Sequence, residues 1–578
     1  MSKLLRSKLF WAGVVVLGLV VVIAVGVAAL AASGPRIRNH SYLVLDLRSG
    51  MMDYDPPADL VAQLMGPSPL TLQRTLENLA KAAADSRVDG VILKLGLETA
   101  IGGASRQELR EAIREVRDQG KPVIAWAESL MSGGVHLAAA CDRVVLPPTG
   151  MLVFTGTTAQ SLHIKGMLEK LGITADLHQI KDYKSAAEMM TRTDSSGPAR
   201  ENRQWLLDEM WQMTMADMEQ DRGLTETRLL QLMEHALFTP EEAQEAGLID
   251  AIAYWDELVA ELKREQDEEL RTVRGGTYAK VSPRSVGLRG RKQVAVVYAQ
   301  GTIAGRKSGF NPLLGMTMGH ESVIADLRRA EKDPKVAAVV FRVDSPGGSA
   351  LTSDLIARQI DTMKQVKPVV VSMGDVAASG GYVVAYRADR IVASPMTITG
   401  SIGSISGKFD MKGLYDKLGI SFDSVSKGPM AELFSGLRRF TPEERARFQD
   451  NHWKSYNRWI ADVAQRRGMA FEEVDQLAQG RVWSGRQARA HGLIDDVGGL
   501  RRAVELAKEL ADIPADERVT LVHLPGKKGL LELLTQQDGN QASALISRLF
   551  FNAVQRDLAE AARILADDSW LMEPMVID

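Results

Sequence analysis

Two glycine-rich turns, each directly after an apolar run, hold the residue types that acyl-transfer chemistry needs. Asp344-Ser345-Pro346-Gly347-Gly348-Ser349 follows the run ending at Val343. Proline and paired glycines there force a turn. Glycine also lets backbone N–H groups approach a ligand oxygen closely, as stabilisation of an oxyanion requires. Taken alone, a Pro-Gly-Gly turn is usually only a turn. Farther on, Gly374-Asp375-Val376-Ala377-Ala378-Ser379-Gly380-Gly381-Tyr382 sets a serine among small residues, between an apolar run and the helix-compatible stretch 381–387. Such a serine can project its hydroxyl into a cleft, with the Gly380 N–H pointing the same way. It can equally cap a helix.

A serine hydroxyl is a weak nucleophile and needs a base. The nine histidines include no pair at metal-ligand spacing and none inside a glycine-rich motif, and His320 and His491 have no distinctive context. Lysine can serve if a dry or cationic site lowers its pKa from ~10.4. Lys184, in Ile180-Lys181-Asp182-Tyr183-Lys184-Ser185-Ala186, is a candidate, but spacing alone does not single it out among the 70 Lys and Arg residues. The single cysteine, Cys141, excludes an intramolecular disulfide. Its neighbours (AAACDRVVL) place it where a helix end runs into a buried strand, as a small apolar residue. No cofactor or metal motif is visible. A formal charge of −3 gives no basic stripe for nucleic acid.

The elements that must position these turns come in two sets. Val88–Leu95 reads like Val336–Val343, Ser132-Gly133-Gly134 like Ser379-Gly380-Gly381, and Asp142–Val145 like Asp389–Val392. Leu171-Gly172-Ile173 returns as Leu418-Gly419-Ile420, and Ala246–Asp250 as His491–Asp495. Five matches in one order at nearly one offset predict two tandem copies of one domain, 42–260 and 293–510. Residues 261–292, charged and then Gly- and Arg-rich, read as a linker. Within each copy, short apolar runs (Val294–Tyr298, Val336–Val343, Pro368–Ser372, Asp389–Ala393) alternate with amphipathic stretches (Glu321–Lys332, Ser353–Gln365, Pro442–Arg467). That pattern predicts buried, mostly parallel sheets covered by helices, an α/β fold. The extension 511–578 holds a strand candidate at Val519–Val522 and helix-like apolar spacing from 528 to 568, read as a packing helix.

Residues 9–32 carry no charge and are nearly all apolar, longer than the ~20 residues that cross a bilayer. Lys3, Arg6 and Lys8 precede them, so residues 1–8 are expected in the cytoplasm and the rest of the chain outside. The rival reading is a cleaved signal peptide with a site at Ala29-Leu30-Ala31, but a signal core is typically about 7–15 residues.

The anchor, the duplicated halves, Asp-Ser-Pro-Gly-Gly, Ala-Ser-Gly-Gly-Tyr, Thr-Gly-Ser-Ile-Gly at 399–403 and Tyr-Lys-Ser-Ala at 183–186 together resemble the signal peptide peptidase A (protease IV) family in its long form. The resemblance spans roughly 42–510. It implies two tandem crotonase- or Clp-protease-like α/β domains after one transmembrane helix. It also implies a Ser–Lys serine peptidase, with Ser379 as nucleophile and Lys184 as general base. Gly347 or Gly348 with Gly380 would supply the oxyanion donors, and Ser401 would orient the lysine. The resemblance further implies a homotetramer on the outer face of the bacterial cytoplasmic membrane that degrades cleaved signal peptides and other apolar peptides, without a cofactor. The repeat offers an internal comparison. Aligning 171–173 on 418–420 puts Lys184 opposite Ala431, so the second copy keeps the serine and lacks the lysine. The first copy keeps Ser132, but its turn, Thr99-Ala100-Ile101-Gly102-Gly103, lacks Ser-Pro. A cross-copy pair of Ser379 with Lys184 is therefore expected, with Ser132–Lys184 as the competing pair and Lys181 and Lys427 as competing lysines. Two other functions remain open: an inactive membrane scaffold of this fold, and a crotonase-like acyl-thioester enzyme.

Overall fold

The computed structural model describes residues 35–55, 70–97, 99–265, 270–311 and 314–526. The expected anchor at 9–32 and the apolar spacing at 528–568 lie outside them. Among the described residues, no helix is long and apolar enough to cross a membrane.

The duplication is visible strand by strand. In the first half, one sheet runs in the order Ala251–Ile252, Arg143–Leu146, Val123–Ala127, Val88–Leu95, Ser41–Asp46, Arg271–Arg274. In the second, the same order recurs as Asp496–Val497, Arg390–Ala393, Val369–Ala378, Val336–Ser345, Gln293–Gln300, Thr520–Leu524. All of these neighbours pair in parallel. Parallel strands are covered on both faces, which explains why Val339, Val340, Phe341, Val369, Val370 and Val371 are all fully buried.

The strand edges correct the expected domain limits. Arg271–Arg274, assigned to a linker by composition, is an edge strand of the first sheet and pairs with Ser41–Asp46. The helix Trp255–Glu265 runs past 260. Likewise Thr520–Leu524, assigned to a C-terminal extension, is the matching edge of the second sheet. An edge strand is held by backbone bonds on one side only, so charged side chains at 271 and 274 cost it little.

The halves differ where the second carries its serine. Val123–Ala127 is 5 residues long, whereas Val369–Ala378 is 10. The extra length pairs with Ile398–Gly400, which pairs in turn with Val482–Ser484. In the first half the corresponding pair, Leu152–Phe154 with Ala236–Phe238, forms a separate two-stranded sheet.

Contacts between the halves bring the first copy's chain to the second copy's turns. Thr174–Gln179 pairs antiparallel with Ile405–Asp410. Arg342, fully buried, donates to Asp53 (2.9 Å) and Glu108 (2.7 Å). Tyr54 stacks on Tyr298 at 4.1 Å. Helix Pro442–Arg467 borders the resulting cleft. Its start is set by a Thr441–Glu444 capping box and a proline in the first turn, its end by Gly468 at φ +66°.

Candidate active site

Ser379 sits where the strand Val369–Ala378 turns into the short helix Gly380–Val383. Its φ is +55°, a conformation that costs a non-glycine residue ~1–3 kcal/mol and persists only when its surroundings enforce it. Two features enforce it. The Ser379 N–H donates to the Gly400 carbonyl at 2.9 Å. Gly347 packs directly against the turn, so that a Cβ there would lie 2.7 Å from the Gly380 nitrogen and 2.8 Å from the Ser379 Cβ.

The three candidate oxyanion glycines divide into two roles. The Gly347 N–H donates to Ser345 Oγ (3.1 Å) and its carbonyl accepts from Ile303 (2.7 Å). Gly348 and Gly380 line the cleft beside Ser379, and their N–H groups have no protein partner among the described residues. The Gly347 N–H is thus engaged within the turn, while those of Gly348 and Gly380 are left unpaired at the edge of the cleft.

Lys184 enters the same cleft from the first half. It is only 7% exposed, and burial lowers its pKa from 10.5 to about 7. Its Nζ donates to Ser401 Oγ (2.7 Å) and to the Ser401 carbonyl (2.9 Å). A neutral amine has two N–H bonds and one lone pair. With both N–H bonds directed at Ser401, the lone pair is left to accept a proton. Ser401 is itself held at φ +50° by its N–H bond to the Arg481 carbonyl.

The alternatives lie elsewhere. Ser132 Oγ donates to the Thr155 carbonyl and accepts from the Thr155 N–H, both at 3.0 Å, tying down a loop outside the cleft. Lys181 is ion-paired with Asp475 at 2.9 Å. Lys427 is exposed, and Ala431 lies in a surface turn. A carboxylate packs against the first copy's glycine turn: Asp375 accepts from the Ser105 N–H (2.9 Å) and Oγ (2.6 Å), and a Cβ on Gly102 would collide with it. Cys141 is buried, and burial pushes its thiol up to about 12.

Sequence reading missed the two histidines that line the cleft, His163 and His452. His452 bonds Ser404 Oγ (2.7 Å) and His178 Nδ1 (2.8 Å), and burial followed by the His178 charge lowers its pKa to about 4. His163 bonds the Glu188 carbonyl and Ser195 Oγ. The serines they bond are Ser195 and Ser404, so neither histidine is hydrogen-bonded to Ser379. No sequence motif marks them, since their partners are distant in the chain or on another element. Asp344, beneath the serine turn, is pushed up to about 7 by burial and then by the neighbouring Asp375 charge, and its Oδ1 accepts from the Val376 N–H.

The family model described as Peptidase family S49 matches residues 115–269 and 361–514, one segment in each half. Serine protease SPPA, chloroplastic, of Arabidopsis thaliana is 34% identical over 550 residues, 90% of this chain and 80% of that protein. Protease 4 of Salmonella typhi is 32% identical over 496 residues, 82% of this chain and 78% of that one. A protein of Enterococcus faecium named as a putative signal peptide peptidase SppA is 32% identical over 191 residues, 33% of this chain and 56% of that one. With both halves matched and such identity over most of its length, the chain belongs to Peptidase family S49 and is a serine peptidase with a duplicated domain.

Proposed function

We propose that this peptidase is a membrane-anchored endopeptidase in which Ser379 attacks the scissile carbonyl and Lys184 takes the serine's proton. The observation that carries the reading is a lysine with its pKa lowered to about 7, held by Ser401 in the cleft that Ser379 lines. The N–H groups of Gly348 and Gly380 stabilise the tetrahedral oxyanion. Lys184, now an ammonium, gives its proton to the leaving amine, and Ser379 is left as an ester of the substrate's acyl part. A water molecule then replaces the amine. Lys184 takes its proton, hydroxide adds to the ester, and the serine leaves reprotonated.

The cleft has a volume of about 1390 Å³, and Leu206, Met210, Val383, Ile405, Phe448 and Trp459 line it. Such walls suit an extended apolar peptide. Cleaved signal peptides are the substrate class we infer, in keeping with the name of the Enterococcus relative. The uncharged run 9–32, following Lys3, Arg6 and Lys8, supports a bilayer anchor with the peptidase on the periplasmic side of a bacterial inner membrane. A homotetramer is the assembly we infer, from the family resemblance.

The test is hydrolysis of a fluorogenic peptide with an apolar residue before the scissile bond, by the full chain in detergent. Ser379→Ala and Lys184→Ala are expected to lose activity, and Ser132→Ala to keep it. An active Ser379→Ala with a dead Ser132→Ala would move the site to the first copy. Activity in all three would remove the serine mechanism proposed here.

A further inference from the structure

Lys184 and the serine that holds it are joined through one residue that neither the motifs nor the reaction scheme includes. Arg481 ends a turn just before the strand Val482–Ser484. Its carbonyl accepts the Ser401 N–H at 2.6 Å. Its guanidinium carbon lies 3.8 Å from the centre of the Tyr183 ring and 5.1 Å from that of Trp205. Tyr183 immediately precedes Lys184, and Trp205 belongs to the first-half helix Gly197–Arg222. Trp205 also stacks on Trp483 at 5.1 Å, and its Nε1 donates to the Val482 carbonyl. The turn itself is pressed against the lysine: Gly480 has φ +85°, and a Cβ there would lie 2.3 Å from both the Lys184 Cα and nitrogen. The Arg481 Nε is buried without a hydrogen-bond partner. Its place is therefore set by two aromatic faces together with the Tyr183 hydroxyl.

We propose that Arg481 is a positioning residue for the reaction: by covering the Tyr183 and Trp205 rings while its carbonyl holds Ser401, it fixes Lys184 against Ser401 and keeps water from the amine. The proposal rests on the Ser379–Lys184 reading. Three nearby charged groups are otherwise engaged, while Asp182, Arg203 and Arg458 make no ion pair among the described residues. Lys181 pairs with Asp475, Glu188 accepts from the Ser196 N–H, and Glu201 accepts from the Tyr183 hydroxyl. Burial alone accounts for the state of the amine, so whatever admits water there shifts it.

The experiment compares pH profiles of kcat and kcat/KM for the full-length wild type, Arg481→Ala and Arg481→Lys, with Tm measured alongside. In Arg481→Ala the kcat is expected to fall roughly tenfold to a hundredfold with KM little changed. The inflection should move to higher pH by about one unit or more as the amine is hydrated. Arg481→Lys keeps the charge but loses the planar contact, and should shift in the same direction. Tyr183→Leu removes the partner face from the first half. It is expected to move the inflection likewise, and it decides the matter if Arg481→Ala does not fold. A lowered Tm with an unmoved inflection would reduce Arg481 to a structural residue and overturn the proposal. Failure of the underlying reading looks different: wild type would then lack an inflection near 7, or Lys184→Ala would stay active.

Discussion

Replacing Lys184 with methionine should abolish activity and yet stabilise the fold. The site holds an amine that burial drives from 10.5 to about 7. At about 1.4 kcal/mol per pH unit, that displacement corresponds to about 5 kcal/mol of folding free energy at neutral pH and below. Methionine has similar length and no charge to desolvate, so Lys184→Met recovers the greater part of it. The sign is fixed by linkage. The folded-state pKa lies below the unfolded one, so between pH 7 and about 10.4 the unfolded chain binds more protons and wild-type stability rises with pH. Below 7 both states are protonated and the cost is complete. Denaturant unfolding of wild type and Lys184→Met, from pH 6 to pH 10, should thus show the variant ahead by several kcal/mol at pH 6–7, with the gap closing towards pH 10. Asp344 also titrates near 7, but it is present in both proteins and cancels in the difference. A gap that is constant with pH, or a variant less stable than wild type at pH 6, would mean that the buried amine carries no such cost.

Two other perturbations test the surroundings. Gly348 has φ +144°, and a Cβ there would lie 2.2 Å from the Ile303 carbonyl oxygen. Gly348→Ala is expected to lower kcat by about 10²–10³ through a displaced oxyanion donor, and wild-type kcat in this variant would exclude the turn from the reaction. Arg342→Leu leaves Asp53 and Glu108 buried without their cation, at a cost of about 3–5 kcal/mol. Adding Asp53→Asn and Glu108→Gln should restore much of that loss in the same denaturation assay. A triple variant no better than the single one would show that the arginine acts by packing rather than by charge.

The duplication and the parallel α/β sheets are written in the chain, because strands buried on both faces must be apolar runs and these recur at one spacing. The sequence also marked the turn chemistry around Gly347, Gly348 and Ser379, since glycine is what a close backbone approach requires. The edge strands were legible only in part: a strand candidate stood at 519–522 without its place in the second sheet, and Arg271–Arg274 read as linker. Arg271–Arg274 and Thr520–Leu524 are joined by backbone hydrogen bonds that place little demand on side chains. Lys184 was legible only through a family resemblance, and its lowered pKa is written nowhere near it in the chain. That property arises from burial between the halves, against Gly403 and Gly480, with Ser401 as its partner. Ser132 and Ser379 share the same Ser-Gly-Gly signature, and tertiary structure separates them: one hydroxyl is tied to Thr155, the other lines a cleft with a buried amine. The serine's surroundings are local and leave a motif, whereas the amine's are assembled from residues hundreds of positions apart and leave none.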